Sequence, residues 1–234
     1  AVREDAITLY GFADAAERFG KNVATMVTGN PVRGEMGRSE RDSAARTFGI
    51  APGIRTVLVF GGSQGSRAVN AAVSGAVENI ANRGFQVVWQ TGEREFDLWR
   101  SFDGRAGGRI RVLPFISAMA DAYAASDLVI ARAGAMSVAE ITACGLPAVF
   151  VPLPTAAENH QEFNARSLEH AGAAAVILAR DLTPERLLEL ALGILDDETR
   201  RTSMAASSGK FGRKDAADVI ADNIIARYGA RRES

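Results

Sequence analysis

The chain has 234 residues, 27 lysines and arginines against 28 aspartates and glutamates, a net charge of −1 and 47 % hydrophobic residues. That length holds one large α/β domain with additional segments, and the balanced, scattered charge gives no field to attract nucleic acid. A lone Cys144 and two separated histidines, His160 and His170, exclude an internal disulfide and a cysteine zinc site and leave no metal site or cofactor to expect.

No apolar run nears the roughly 18 residues of a spanning helix, and the opening AVREDAITLYGF has no leader pattern. The chain does not begin with Met and enters on the strand-like ITLYGF, which reads as part of a longer protein. Further on, short apolar runs TVLVF (56–60), QVVWQ (86–90), RIRVL (109–113), DLVIA (127–131), PAVFV (147–151) and AAVIL (174–178) are expected strands. Helical patterns separate them: SRAVNAAVSGAVENIANR, REFDLWRSF, SAMADAYAAS, MSVAEITACG and NHQEFNARSLEHAG. Strands that are apolar without alternation are buried on both faces, so the expected fold is α/β, a Rossmann-like doubly wound parallel sheet. After residue 178 the pattern is helical throughout, opening at Thr183-Pro184 as an N-cap with proline in the first turn, and RRES closes the chain as a tail.

In such sheets ligands bind beyond the carboxyl ends of the strands. The first loop there, Gly61-Gly62-Ser63-Gln64-Gly65-Ser66, lacks the Gly-Lys-Ser/Thr of a P-loop, and the only lysines are 21, 210 and 214. A dinucleotide fingerprint would need glycine where Phe60 stands, and the second strand ends in Gln90-Thr91-Gly92 with no ribose-binding acid. What survives is a backbone turn at a helix N-terminus, with Ser63 and Gln64 offering hydrogen bonds, or a turn whose glycines serve packing alone. A second loop, ARAGAMSVAE (131–140), repeats the strand, glycine, helix plan through Gly134, and two helix N-termini on one cleft suit a diphosphate. A carboxylate beside a phosphate would repel it, so Glu140 is better placed on ribose hydroxyls than on the anion; otherwise it is a dipole-favoured helix residue. The third loop presents Glu158, Asn159, His160, Gln161 and Asn164, amides and carboxylates that suit a sugar or simply cap a solvated helix.

TGNPVR (28–33), GGSQGS (61–66), PFISAMADAY (114–123), ARAGAMSVAEITACGLPAVFVPLP (131–154) and HQEFNA (160–165) together resemble, in order and spacing, the C-terminal half of the MurG family, glycosyltransferase family 28. Any of these motifs alone is weak; in register they are specific. The resemblance implies the C-terminal domain of a GT-B fold and an inverting transfer of N-acetylglucosamine from UDP-GlcNAc to lipid I, undecaprenyl-pyrophosphoryl-MurNAc-pentapeptide, giving lipid II. It implies Arg33 at the donor, Ser63 at the diphosphate, and Ile116 meeting uracil through its backbone. Ala135, Met136, Ser137, Val138, Ala139 and Glu140 would form the phosphate-binding helix start with Glu140 on the ribose. Gln161 would read sugar hydroxyls with Asn164 supporting it.

Two positions depart from the family pattern: His160 stands where a glutamine is common, which bears on sugar selectivity, and Ser137 replaces a threonine. By the same resemblance residues 1–30 end an N-terminal domain and linker, 31–212 bind UDP-GlcNAc, and 213–234 hold a helix that packs on the other half. No catalytic residue is expected here, because the general base and the acceptor site would lie in that other half. Cytoplasmic placement on the inner face of the plasma membrane is implied, with no metal. Three alternatives remain open: a donor-binding subunit of a split two-chain transferase, a non-catalytic UDP-sugar-binding module, and a UDP-GlcNAc 2-epimerase.

Overall fold

The computed structural model describes residues 7–10, 24–154 and 159–228. Two short strands come first, β1 (Ile7–Tyr10) and β2 (Ala24–Val27), a parallel pair of their own. The main sheet follows with β3 (Thr56–Phe60), β4 (Gln86–Gln90), β5 (Ile110–Leu113), β6 (Leu128–Ala131), β7 (Ala148–Phe150) and β8 (Ala174–Val176). These are the expected strands, β3 and β4 with the expected bounds and the other four with their ends trimmed. The order β5-β4-β3-β6-β7-β8, parallel at every pairing, is the doubly wound Rossmann order that the sequence predicts. It reverses direction between β3 and β6, which pair from Val57↔Leu128 to Phe60↔Ala131.

The helices are α1 (Arg41–Thr47), α2 (Arg67–Asn82), the single turns α3 (Phe96–Trp99) and α4 (Arg105–Gly108), α5 (Met119–Ala124), α6 (Ala135–Ala143), α7 (His160–His170), α8 (Pro184–Leu195), α9 (Glu198–Gly209) and α10 (Ala216–Tyr228). Thr183 caps α8 through its side chain to the Arg186 amide, with Pro184 at the first helical position as expected. On one face of the sheet Val57, Val59, Val87, Trp89 and Ile130 meet α2 and α8, while on the other Leu58, Phe60, Val88, Val129 and Phe150 meet α1, α5, α6 and α7. Both faces are therefore core, which is why all of β3 is buried and why the strand sequences do not alternate. Each such side chain contributes about 1.5–3 kcal/mol when fully removed from water.

One expected helix is broken. REFDLWRSF divides into a 3₁₀ turn at Glu93–Glu95, α3, and a second 3₁₀ turn at Arg100–Phe102. Phe96, Trp99 and Phe102 recur every three residues, a spacing that a 3₁₀ turn keeps on one side and an α-helix rotates away. Trp99 and Phe102 thereby reach Trp89, with ring centroids 5.8 and 5.9 Å from it. The sequence reading also missed β2, α1 and α4. Of ITLYGF, residues 7–10 form β1; Gly11 and Phe12, with Glu158 and the terminal RRES, lie outside the described residues.

Candidate functional site

The carboxyl ends of β3 and β6 are neighbours, so the loops after them open side by side at the point where the strand order reverses. After β3, the amide of Gly65 donates to the Gly62 carbonyl (3.0 Å) to close a tight turn, and Ser66 caps α2 by accepting from the Val69 amide (3.4 Å). Gly65 has φ +77°, and a Cβ there would overlap the Thr91 carbonyl; Gly92 after β4, at φ +84°, meets Gln64 in the same way. The turn is thus pressed against the neighbouring loop by backbone alone, and no side chain fits between them.

After β6, Gly134 is the N-cap of α6 without any side-chain cap. The amides of Ala135, Met136 and Ser137 are consequently left for a ligand or solvent, whereas the Val138 amide already donates to the Gly134 carbonyl (2.9 Å). The side chains of Val138 and Ala139 lie in the core. Of the expected run from Ala135 to Glu140, the open groups are those first three amides, the Ser137 hydroxyl and the Glu140 carboxylate.

An open cleft lies beneath these loops, with Arg33, Ser63, Ile116, Ser137 and Glu140 all on its wall. Five expected residues, distant in sequence, are brought to one place. Glu140 Oε1 accepts from Arg33 Nη2 at 3.4 Å and its Oε2 from the Tyr123 hydroxyl at 3.1 Å. Burial, reinforced by the carboxylate of Glu140, pushes the Tyr123 phenol far above its ordinary range, so it is a fixed donor. Ser63 and Gln64 are exposed at the tip of the first turn, where Gln64 faces a second hollow with Glu93, Arg94 and Phe115.

An open groove continues past the glycine turns to Leu153 and Gln161. Gln161 receives the Leu153 amide on Oε1 (3.0 Å), which leaves its Nε2 donors for the groove. Asn164 donates to the Ala133 carbonyl (3.2 Å), so its contact is with the second glycine loop and not with Gln161. His160 is exposed at the start of α7.

Three residues of this site were not singled out in the sequence. Gln90, buried at the end of β4, donates to the Gly62 carbonyl (2.9 Å) and accepts from the Ile116 amide (2.9 Å), tying two site loops together. The Ile116 backbone is left with its carbonyl to offer a ligand. Tyr123 orients Glu140. Arg132 reaches across from the second glycine loop to Ser66 Oγ, with Nη2 at 2.7 Å and Nε at 3.1 Å, and to the carbonyls of Val151 (3.0 Å) and Pro152 (2.9 Å). Gln90 carried one readable signal, a polar residue ending an otherwise apolar strand.

Among the described residues no three His, Cys, Asp or Glu side chains gather as a metal site, and no helix is long and apolar enough to cross a membrane. Fold and site together define a doubly wound α/β domain with two helix N-termini and one held carboxylate at its switch point.

The family is set by sequence: residues 56–220 match the glycosyltransferase family 28 C-terminal domain, and the chain belongs to that family. It is 38 % identical over 97 % of its length to a Clostridioides difficile protein, and 40 % identical over 92 % to one from Chlorobium limicola. Both relatives are named UDP-N-acetylglucosamine–N-acetylmuramyl-(pentapeptide) pyrophosphoryl-undecaprenol N-acetylglucosamine transferase. The chain spans a little over half of each, 56 % and 58 %. Among solved structures, Acinetobacter baumannii MurG superimposes with a TM-score of 0.73 at 29 % identity, over 93 % of this chain and 59 % of that one. A putative UDP-N-acetylglucosamine 2-epimerase from Listeria monocytogenes shares the fold at 17 % identity, with a TM-score of 0.67 over 92 % of this chain and 56 % of that one.

Proposed function

We propose that this chain is the donor-binding half of a MurG-type transferase, one that binds UDP-GlcNAc and, with an acceptor-binding half, passes N-acetylglucosamine to lipid I to form lipid II. The observation that carries the reading is the convergence of the α2 and α6 N-termini at the sheet's switch point, with Glu140 fixed beside them by Tyr123 and Arg33. Such a place suits a nucleoside diphosphate: amides for the phosphates, a carboxylate for the ribose, and the Ile116 carbonyl for the base.

In this reading Ser63 and Gln64 at one turn and Ala135, Met136 and Ser137 at the other receive the diphosphate. Glu140 accepts from the ribose hydroxyls, Arg33 moves from Glu140 towards the phosphates, and Gln161 donates to the sugar while Asn164 holds the loop. Val138 and Ala139 act by packing α6. The acceptor hydroxyl bonds to the anomeric carbon as the bond to the β-phosphate oxygen breaks; the electron pair leaves with UDP, and the proton passes to a base in the other half. Amide dipoles stabilise the departing charge without a metal. Residues 31–212 form the UDP-GlcNAc domain, residues 1–30 the approach from the other half and 213–234 a helix returning to it. The enzyme works at the inner face of the plasma membrane, where its lipid acceptor lies. The level of identity to named transferases favours this over an epimerase, whose likeness is confined to the fold.

Calorimetric titration of the folded chain with UDP-GlcNAc, UDP-GalNAc and UDP, beside Glu140→Ala, tests the reading. UDP-GlcNAc and UDP are expected to bind, with affinity lower by roughly 10- to 100-fold in the variant, as for loss of a charged hydrogen-bond acceptor. Absence of heat from any of the three ligands in a folded chain would defeat it.

A further inference from the structure

Gln90 closes β4, the strand between β3 and β5, and pairs level with the last residue of each, Phe60 on one side and Leu113 on the other. The first glycine turn leaves from β3, and the loop carrying Ile116 leaves from β5. A whole strand therefore separates the two loops. The β4–β5 ladder continues by one bond, from the Thr91 amide to the Leu113 carbonyl (3.0 Å). Beyond it the Gln90 side chain crosses from loop to loop: Nε2 donates to the Gly62 carbonyl and Oε1 accepts from the Ile116 amide, each at 2.9 Å.

Both bonds are shielded from water, since Gln90 is 3 % and Ile116 2 % exposed, and both residues line the cleft. The two ends are not equivalent. The Gly62 carbonyl also receives the Gly65 amide (3.0 Å), so the turn closes without Gln90. The Ile116 amide has no other acceptor among the described residues. An apolar side chain of the same shape would serve the β4 ladder equally well and leave that amide unheld, so the carboxamide at this position serves the loops rather than the strand. With its N–H engaged, the Ile116 backbone offers the cleft an acceptor alone, at a fixed distance from the first turn.

A single fixed acceptor discriminates between pyrimidines. Uracil carries N–H at ring N3 and donates to a carbonyl directly; cytosine has a lone pair there and must slide to bring its exocyclic amine to the same oxygen. Sliding requires the carbonyl to move relative to the turn that faces the phosphates. A side chain bonded to both loops prevents it. We infer that Gln90 is a positioning residue for base selection: by holding Ile116 to Gly62 it fixes where the base acceptor stands, and so makes the cleft select uridine over cytidine nucleotides. The inference rests on the UDP-GlcNAc reading above and adds the residue that sets specificity for its base.

The test measures UDP and CDP affinities by calorimetry on the wild-type chain, Gln90→Met and Gln90→Glu, each variant first checked by its near-ultraviolet circular dichroism. The wild type is expected to prefer UDP on the order of 10- to 100-fold. Gln90→Met keeps the shape and makes neither bond; its UDP affinity is expected to fall roughly 10-fold while CDP stays within about threefold, so the preference shrinks. Gln90→Glu still accepts from the Ile116 amide whether or not its carboxyl is ionised, and is expected to keep a preference within about threefold of wild type. UDP affinity unchanged in Gln90→Met, UDP and CDP weakened alike, or a preference lost equally in Gln90→Glu would each overturn the inference. So would a wild-type chain that binds both nucleotides equally, a result that leaves the diphosphate site standing. If the wild type binds neither, the nucleotide reading falls as well. Should Gln90→Met not fold, Gln90→Asn takes its place with the same expectation, its amide one methylene too short to span both partners. Failure of both to fold overturns the inference in favour of a purely structural role.

Discussion

The Tyr123 hydroxyl donates to Glu140 Oε2 at 3.1 Å from a side chain only 1 % exposed, so a core residue of α5 sets the direction of a carboxylate in the cleft. Tyr123→Phe removes that donor and nothing else of the core. UDP-GlcNAc affinity is expected to drop by roughly 3- to 10-fold, about the worth of one ordinary hydrogen bond, because the donor lost orients the carboxylate and does not itself touch the ligand. The melting temperature should fall only a few degrees. Unchanged affinity would mean that Glu140 is placed by its helix alone, or does not touch the ligand.

Gly65→Ala is expected to be among the most damaging single changes on the surface of the molecule. The alanine would need φ +77° and would press its methyl into the Thr91 carbonyl. Left-handed backbone costs on the order of 1–2 kcal/mol for an L-residue, and the overlap adds to it, so a loss above about 2 kcal/mol is expected in urea unfolding. UDP binding should weaken with it, because the turn that moves is the one carrying Ser63. A variant of wild-type stability would show that the turn is not pressed against Thr91 in solution.

At the opposite end of the sheet, Asp127 Oδ2 accepts from the Thr56 amide (2.9 Å) and from Arg41 Nη2 (2.6 Å). Asp127→Ala strands that buried amide and the Arg41 charge together. A loss of about 2–4 kcal/mol is expected, with UDP affinity in the folded variant within twofold of wild type. A large change in affinity would contradict the placement of the site at the carboxyl ends of the strands.

Glu95 predicts an acid-sensitive contribution. Burial pushes its carboxyl up, but the hydrogen bonds from Asn70, Arg67 and Trp99 together outweigh burial and hold it below the ordinary 4.5. A lowered carboxyl stabilises the fold above its unfolded value and ceases to do so as pH falls through its folded value. Glu95→Gln should therefore be less stable than wild type at pH 7, and the gap should close as pH drops below about 4.5. Denaturant titrations of both proteins from pH 7 to 3 give the comparison; a gap that does not narrow in acid would exclude the ionised carboxylate as its source.

Strand positions and glycine turns were legible because each is local: Val57 to Phe60 are apolar in succession, and Gly61, Gly65 and Gly134 mark where the backbone must turn. The parallel order followed from the same pattern, since strands without a polar face require helices on both sides. Ser63 and Glu140 were read from their loops, Arg33 and Ile116 came from a resemblance, and the fold brings all four to one wall. Tyr123 and Arg132 were not legible, and Gln90 only as a polar end to an apolar strand, because what defines their roles is partners far along the chain: Gly62 and Ile116 for Gln90, Glu140 for Tyr123, and Ser66 with Val151 for Arg132. No local window contains both ends of such a bond. The broken helix at REFDLWRSF failed for the same reason, its geometry being dictated by the distant Trp89.

The chain's two tryptophans are Trp89 and Trp99, packed against each other with their rings tilted by 37° on one side of the sheet. The Trp89 indole donates to Asn70 Oδ1 (3.0 Å), and Asn70 donates in turn to the Thr91 carbonyl (2.8 Å), the carbonyl against which Gly65 rests. Ultraviolet emission from this protein is thus a signal from a single spot directly behind the first glycine turn. Light excited at the indoles is sensitive to any ligand that shifts that turn, and it carries little from the far edge of the sheet formed by β7 and β8.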